Sequence, residues 1–373
     1  MERRKPESVP DRFAFLWESK ARIDFELRGF IKKEEERIAQ KWPLAVPLLH
    51  HLREFVEQDG KRIRPTLTIL SFQCFFGESD DRIILPSLGT ELMHDSFIIH
   101  DDLYDDIPGV VGTRRGEKVL HLVYTDEFLK VADGGDSNWE PLQFGKHAAI
   151  TGAHILLALG ARAIHQSAFP SELKHKAMIA YWNTIEETWL GQGMDIFSKG
   201  KPIVEVGEEE ILSTELSRAG VYTLEFPLHL GAILAGAESE TLQKLTNYAR
   251  PVGLAFEIYD DVLGLFGIEG EIGKMQADLA EGKRSLLLQK ALEKGAPEHR
   301  AFLLSTLRQR ISTKEQINKT RQIVEDTGAL DYVTQLASRL VAGAKASLEQ
   351  LGIPGEYREK LSNIADFVIS RKK

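Results

Sequence analysis

Cysteine is nearly absent: Cys74 is the single one in 373 residues, which excludes an intrachain disulfide and suits a reducing compartment. Excess positive charge is absent too. With 47 basic against 56 acidic residues the net charge is −9, which sets aside a general nucleic-acid binder, whose domains are strongly basic. No run approaches the roughly 18 uninterrupted apolar residues of a membrane span, and the opening MERRKPESVPDR lacks the apolar core of a secretory signal. The expectation is a cytoplasmic protein with no transmembrane segment. Also missing are tandem repeats, low-complexity linkers and the two-residue alternation of half-buried strands. What remains favours one all-α domain over residues 1–373, whose 43% hydrophobic content can fill a large core.

Against these absences stands one crowded stretch, ELMHDSFIIHDDLYDDIPGVVGTRR, which places Asp101, Asp102, Asp105 and Asp106 within six positions. On a helix, residues four apart share a face, so Asp101 lies over Asp105 and Asp102 over Asp106. Like charges at that spacing destabilise a helix: at an effective dielectric of 20, two unit charges 4 Å apart repel by about 4 kcal/mol. A cation is expected there. Hard carboxylate oxygens without Cys or His ligands suit Mg²⁺, which keeps its waters and is completed by substrate phosphates. Most acidic clusters are solvated helix ends, but this one follows the apolar run Phe97, Ile98, Ile99 directly. A helix from Leu88 to Asp106 would carry the stripe Met93, Phe97, Asp101, Asp105, apolar below and acidic above.

Residues 1–40 read as an N-terminal helical region, with a long amphipathic helix from Asp11 to Gln40, and a second helix runs from Leu48 toward Asp59. GKRIRP then sets Lys61, Arg62 and Arg64 before the apolar segment LTILSFQCFFG. A basic turn opening onto a buried helix is a phosphate clamp in outline, since Arg offers a planar fork and Lys a point charge. Arg114 and Arg115 follow the aspartates as a second cationic pair. Residues 130–141 form a loop insertion by their Gly, Asp, Ser, Asn and Pro content. A second acidic element, FEIYDDVLGLFG, brings Asp260 and Asp261 on a helix expected to face the first cluster across a cavity. Beyond it come Lys274, Asp278 and Lys283 in a Gly-punctuated segment. Ser312 and Glu315 read as a capping box, and the terminal SRKK as a frayed solvated end. Trp17, Trp42, Trp182 and Trp189 read as core or interface aromatics.

Taken together and in this order, the segments from GKRIRP to EGKRSLLL resemble the trans-polyprenyl diphosphate synthases, the family of farnesyl and geranylgeranyl diphosphate synthases. The resemblance implies an all-helical isoprenoid synthase bundle around a central cavity, a homodimer, Mg²⁺ as cofactor, and isopentenyl diphosphate with an allylic diphosphate as substrates. By the family's motifs, Asp101, Asp102 and Asp105 would hold metal as the first aspartate-rich motif, Asp260 and Asp261 as the second, with Asp195 added from GQGMD. Lys61, Arg64 and Arg115 would bind the isopentenyl diphosphate, while Arg114, Lys274 and Lys283 would serve the allylic one. Lys274 and the first aspartates would act in catalysis, and Gln192 would line the cavity near the reacting carbons. Phe97 and Ser96, one turn below Asp101, would set product length, with Phe97 as the floor of a slot for a farnesyl to geranylgeranyl product, geranylgeranyl preferred.

Five positions depart from the family pattern. Gly264 stands where the second motif has its third aspartate, Glu257 where it has a glutamine, Arg218 and Ala219 replace a Lys-Thr pair, and His154 replaces an aspartate. Glu257, Gly264 and Ala219 support one alternative, a non-catalytic prenyltransferase-like subunit that regulates an active partner, although such a subunit would be expected to lose the first cluster. A terpene cyclase would need Ser and Glu where Gly264 and Ile268 stand. A histidine-aspartate phosphohydrolase, suggested by His94-Asp95 and His100-Asp101, would not call for the downstream basic segments.

Overall fold

The computed structural model describes residues 11–105, 112–114, 117–131, 139–267, 283–307, 309 and 313–371. Apart from a two-residue antiparallel ladder, Thr113–Arg114 with Glu117–Lys118, the regular elements among the described residues are helical. After a single turn at Phe15–Glu18 they run α1 (Lys20–Lys41), α2 (Val46–Val56), α3 (Ile63–Phe76), α4 (Ile84–Tyr104), α5 (Leu120–Val131), α6 (Pro141–His165), α7 (Ser171–Lys199) and α8 (Glu208–Glu215). A π-helix (Leu216–Glu225) leads into α9 (Phe226–Leu234) and α10 (Ser239–Phe266). After it come α11 (Leu286–Lys294), α12 (Pro297–Leu307), α13 (Lys314–Asp326), α14 (Ala329–Ser347) and α15 (Gly355–Ser370).

The chain divides into two compact units, residues 1–69 with 78–178, and residues 70–77 with 179–373. In the first, α4 packs against α6, and α6 against α5. The helix α1 buries Ile23, Leu27, Phe30 and Ile31, the spacing of one helical face, and these join Leu52, Leu88, Leu92, Tyr124, Ala153 and Leu156 in a shared core. Each of the Leu, Ile and Phe side chains contributes about 1.5–3 kcal/mol by leaving water. The helix α6 is long and apolar enough to cross a membrane, yet its Ala149, Ala153, Leu156, Leu159 and Ala163 are all buried within this core.

In the second unit α10 is the central helix, packed against α14, the π-helix and α15. Its buried Tyr248 donates to the Leu361 carbonyl at 2.7 Å. Cys74 is buried, and desolvation pushes its thiol up to about 12, so it behaves as a small hydrophobe.

Several boundaries differ from expectation for local reasons. The first helix is interrupted at Ser19. The segment α4 starts ahead of Pro86, which sits in its first turn where no N–H is required, and it ends at Tyr104, short of Asp106. The late capping box is Thr313 with Gln316, whose two side-chain bonds close reciprocally. Lys130 belongs to the end of α5, and Glu140 caps α6 by accepting from the Leu142 and Gln143 amides; residues 132–138 of the expected loop lie outside the described residues. Trp42 and Trp182, expected as core or interface aromatics, are about half exposed in the single chain.

Candidate active site

The helix α4 delivers the first acidic cluster. Its stripe runs from fully buried Met93 through Phe97, 7% exposed, to half-buried Asp101, with Ser96 and Asp102 buried beside it. Asp105 is the C-cap, its amide bonded to the Asp101 carbonyl at 2.9 Å. Three carboxylates therefore gather at the C-terminal end of a helix, where the backbone dipole is already negative, and the last turn holds no basic residue. This end calls for a cation. Immediately before the acids, His100 bonds the Ser96 carbonyl at 2.9 Å and meets the His154 ring edge-on at 5.4 Å. Burial holds its imidazole below the ordinary range. Asp106 lies outside the described residues.

The basic turn before α3 is sorted by burial. Arg62, at φ +51°, is committed to structure: it pairs with Asp24 and Glu91 at 2.8 Å each and donates to the Val56 and Gln58 carbonyls. Lys61 is exposed and Arg64 half-buried in the first turn of α3, so the pair assigned to the diphosphate flanks a fixed pivot. Arg114 is placed by its strand pairing with Glu117, whereas Arg115, Lys274 and Asp278 lie outside the described residues.

The second acidic cluster is assembled within the second unit from several elements. Gln192 and Asp195 are buried on α7, and Asp195 Oδ2 lies 3.2 Å from Lys199 Nζ and 3.7 Å from Arg218 Nη1. Arg218 comes from the π-helix, whose i→i+5 bonding adds a residue to each turn and redirects the side chains, a feature concentrated at functional sites. Close approach requires glycine: a Cβ on Gly191 would fall 2.4 Å from the Arg218 nitrogen, and one on Gly253 2.7 Å from the Gly220 carbonyl oxygen. The π-helix is thus pressed onto both α7 and α10.

On α10, Asp261 is buried and binds the Lys283 ammonium through Oδ1, while Asp260 pairs with Arg371 at 2.9 Å. Gly264 is buried and offers no carboxylate. Glu257, in the same helix, is pushed up to about 7 by burial and by Asp260, with Arg218 and Lys283 opposing the shift. Glu215, the last residue of α8, is raised well above the carboxylate range by burial and by Asp261. A narrow pocket opens here, lined by Asp195, Ser198, Glu215, Arg218, Lys283 and Arg284 among others.

Two members were missed by reading the chain alone. Glu215 is a lone acid in amphipathic text and carries no motif. Arg371 belongs to the expected frayed end, yet it is buried, donates to the Phe256 carbonyl at 3.0 Å and stacks over that ring at 3.8 Å. The SRKK run was its only signal; Lys372 and Lys373 lie outside the described residues.

Both clusters present oxygen donors, the set that Mg²⁺ takes. In the second, Asp261 Oδ2 and both Glu215 oxygens are buried without a hydrogen-bond donor among the described residues, so the site fits a hard cation. A third group, His50, His51 and Glu54, is already joined by surface ion pairs, His51 to Glu54 at 3.0 Å and to Glu127 at 3.6 Å.

Comparison with known proteins gives consistent likenesses. The sequence pattern described as polyprenyl synthetase matches residues 46–324. A short chain isoprenyl diphosphate synthase of Methanothermobacter thermautotrophicus is 29% identical, the match covering 93% of this chain and 98% of that protein. A geranylgeranyl diphosphate synthase of Saccharolobus solfataricus is 27% identical over 94% of this chain and 95% of its own length. Among solved structures, a geranylgeranyl pyrophosphate synthase from Corynebacterium glutamicum, complexed with isoprenyl diphosphate and magnesium, superposes with a TM-score of 0.85 at 26% identity. That superposition covers 98% of this chain and all of the other.

Proposed function

The chain belongs to the polyprenyl synthetase family, with its all-helical isoprenoid synthase fold and short-chain prenyl diphosphate synthase activity, and from that premise we propose that it condenses isopentenyl diphosphate with an allylic diphosphate. The family chemistry uses a divalent metal, and Mg²⁺ is the ion this donor set suits. Asp101, Asp102 and Asp105, with Asp260 and Asp261, would hold it, and when bound it supplies the positive charge that stabilises the departing diphosphate.

The remaining work falls to the chain's own residues. Lys61, Arg64 and Arg115 bind the isopentenyl diphosphate, and Arg114, Lys274 and Lys283 neutralise the allylic diphosphate as its C–O bond ionises. Gln192 and Asp195 line the space beside the reacting carbons. The apolar stripe of α4 keeps water from the allylic cation while the alkene attacks it. Phe97 floors the slot and limits the product to the farnesyl to geranylgeranyl class, geranylgeranyl preferred.

The observation that carries this reading is the position of the acids: they cap a buried apolar stripe on α4 at a helix end that has no basic residue in its last turn. On the same reading the chain works as one catalytic domain in the cytoplasm, and as a homodimer. An exposed apolar face on α7, comprising Ile179, Trp182, Leu190, Met194 and Phe197, supports the last point. The test is purified protein with Mg²⁺, labelled isopentenyl diphosphate and dimethylallyl, geranyl or farnesyl diphosphate in turn, the dephosphorylated products being separated by length. Elongation stopping at a geranylgeranyl chain is expected. No elongation with any starter would favour the regulatory-subunit reading.

A further inference from the structure

The second acidic cluster holds a buried carboxylate, Glu215, that its motif does not account for. Glu215 is 5% exposed, lines the pocket, and neither of its oxygens meets a hydrogen-bond donor among the described residues. Asp261 Oδ2 is in the same condition, since Lys283 takes the other oxygen. Asp261 acts electrostatically on the Glu215 carboxyl, and the helices α8 and α10 that carry the two groups are packed together. Burying two like charges this way is unfavourable, because little water is left to screen them. Lys283 offsets part of it from the other Asp261 oxygen, and either a shared proton or a further cation would relieve the rest.

The sequence says which is missing. Gly264 leaves the second motif one carboxylate short, and Glu215 arrives beside Asp261 from a different helix, at the point where α8 passes into the π-helix. We propose that Glu215 is a further ligand for the divalent cation of the second acidic motif, supplying from α8 the carboxylate that Gly264 does not provide. This rests on the reading of Asp260 and Asp261 as metal-holding residues.

The test uses full-length protein, Mn²⁺ and inorganic pyrophosphate, with bound Mn²⁺ followed by loss of the free-ion electron paramagnetic resonance signal. Glu215→Gln preserves shape and removes charge; it is expected to weaken a class of Mn²⁺ sites by roughly tenfold or more. Glu215→Asp should recover part of that loss, and thermal denaturation in chelator checks that each variant is folded. If Glu215→Gln does not fold, the Glu215→Asp titration decides alone, with undiminished affinity counting against the proposal. Asp261→Asn separates the two levels of inference. Wild-type Mn²⁺ binding in Glu215→Gln alongside weakened binding in Asp261→Asn would overturn the role of Glu215 and leave the proposed function standing. Unchanged binding in both would overturn the ligand role and the metal assignment together.

Discussion

The two acidic clusters are built in opposite ways. The first is local: Asp101, Asp102 and Asp105 follow one another at the end of α4, and the helix dipole adds to their negative charge. The second is gathered from α7, α8, the π-helix, α10 and the C-terminal residues, and it contains its own cations, Lys283 on Asp261, Arg371 on Asp260, and Lys199 with Arg218 beside Asp195. A site made from one helix end needs little packing to form. A site gathered from several elements depends on contacts distant in sequence, such as the seating of Gly191 against Arg218.

The largest effect is expected from Asp101→Ala. It should lower turnover roughly a thousandfold, in the upper range for loss of one preorganised electrostatic contact, while circular dichroism stays that of the wild type. Retained turnover would erase the contrast, leaving the first cluster without its metal role. Next is Phe97→Ala, which opens the slot below Asp101 and should shift the product to longer chains, with a stability loss of about 3 kcal/mol read by thermal denaturation. An unchanged product distribution would show that the floor lies elsewhere.

The smallest effect sharpens the other side. Glu257 sits at about 7 in the folded chain against a usual 4.5, so its stabilising contribution is complete below the lower value and is lost as pH rises through the higher one. Glu257→Gln should therefore gain thermal stability relative to wild type in chelator at about pH 8 and show little gain near about pH 5. Parallel pH profiles for the two proteins would mean that burial and the neighbouring Asp260 and Asp261 do not hold the Glu257 carboxyl above its usual range.

The same contrast explains what could be read from the chain. The first cluster was legible because its ligands are neighbours and a helical period alone places them, although the helix stops at Tyr104 and Asp105 becomes its cap. Asp260 and Asp261 were legible for the same reason. Glu215 and Arg371 were not, because contacts distant in sequence are chosen by packing, and a π-helix has no local signature to announce its changed register. The basic triplet was half legible. Lys61, Arg62 and Arg64 look equivalent as text, and only burial against Asp24 and Glu91 reveals Arg62 as structural. The capping box shows the limit at its finest: Ser312 with Glu315 and Thr313 with Gln316 both satisfy the pattern, and the observed box is the second.

Divalent-metal-assisted loss of an allylic diphosphate is tested most directly by isopentenyl incorporation by the wild-type chain, first stripped with chelator and then resupplied with Mg²⁺. Incorporation into a farnesyl starter should be absent in chelator and return with the metal. Elongation persisting without any divalent ion would contradict it.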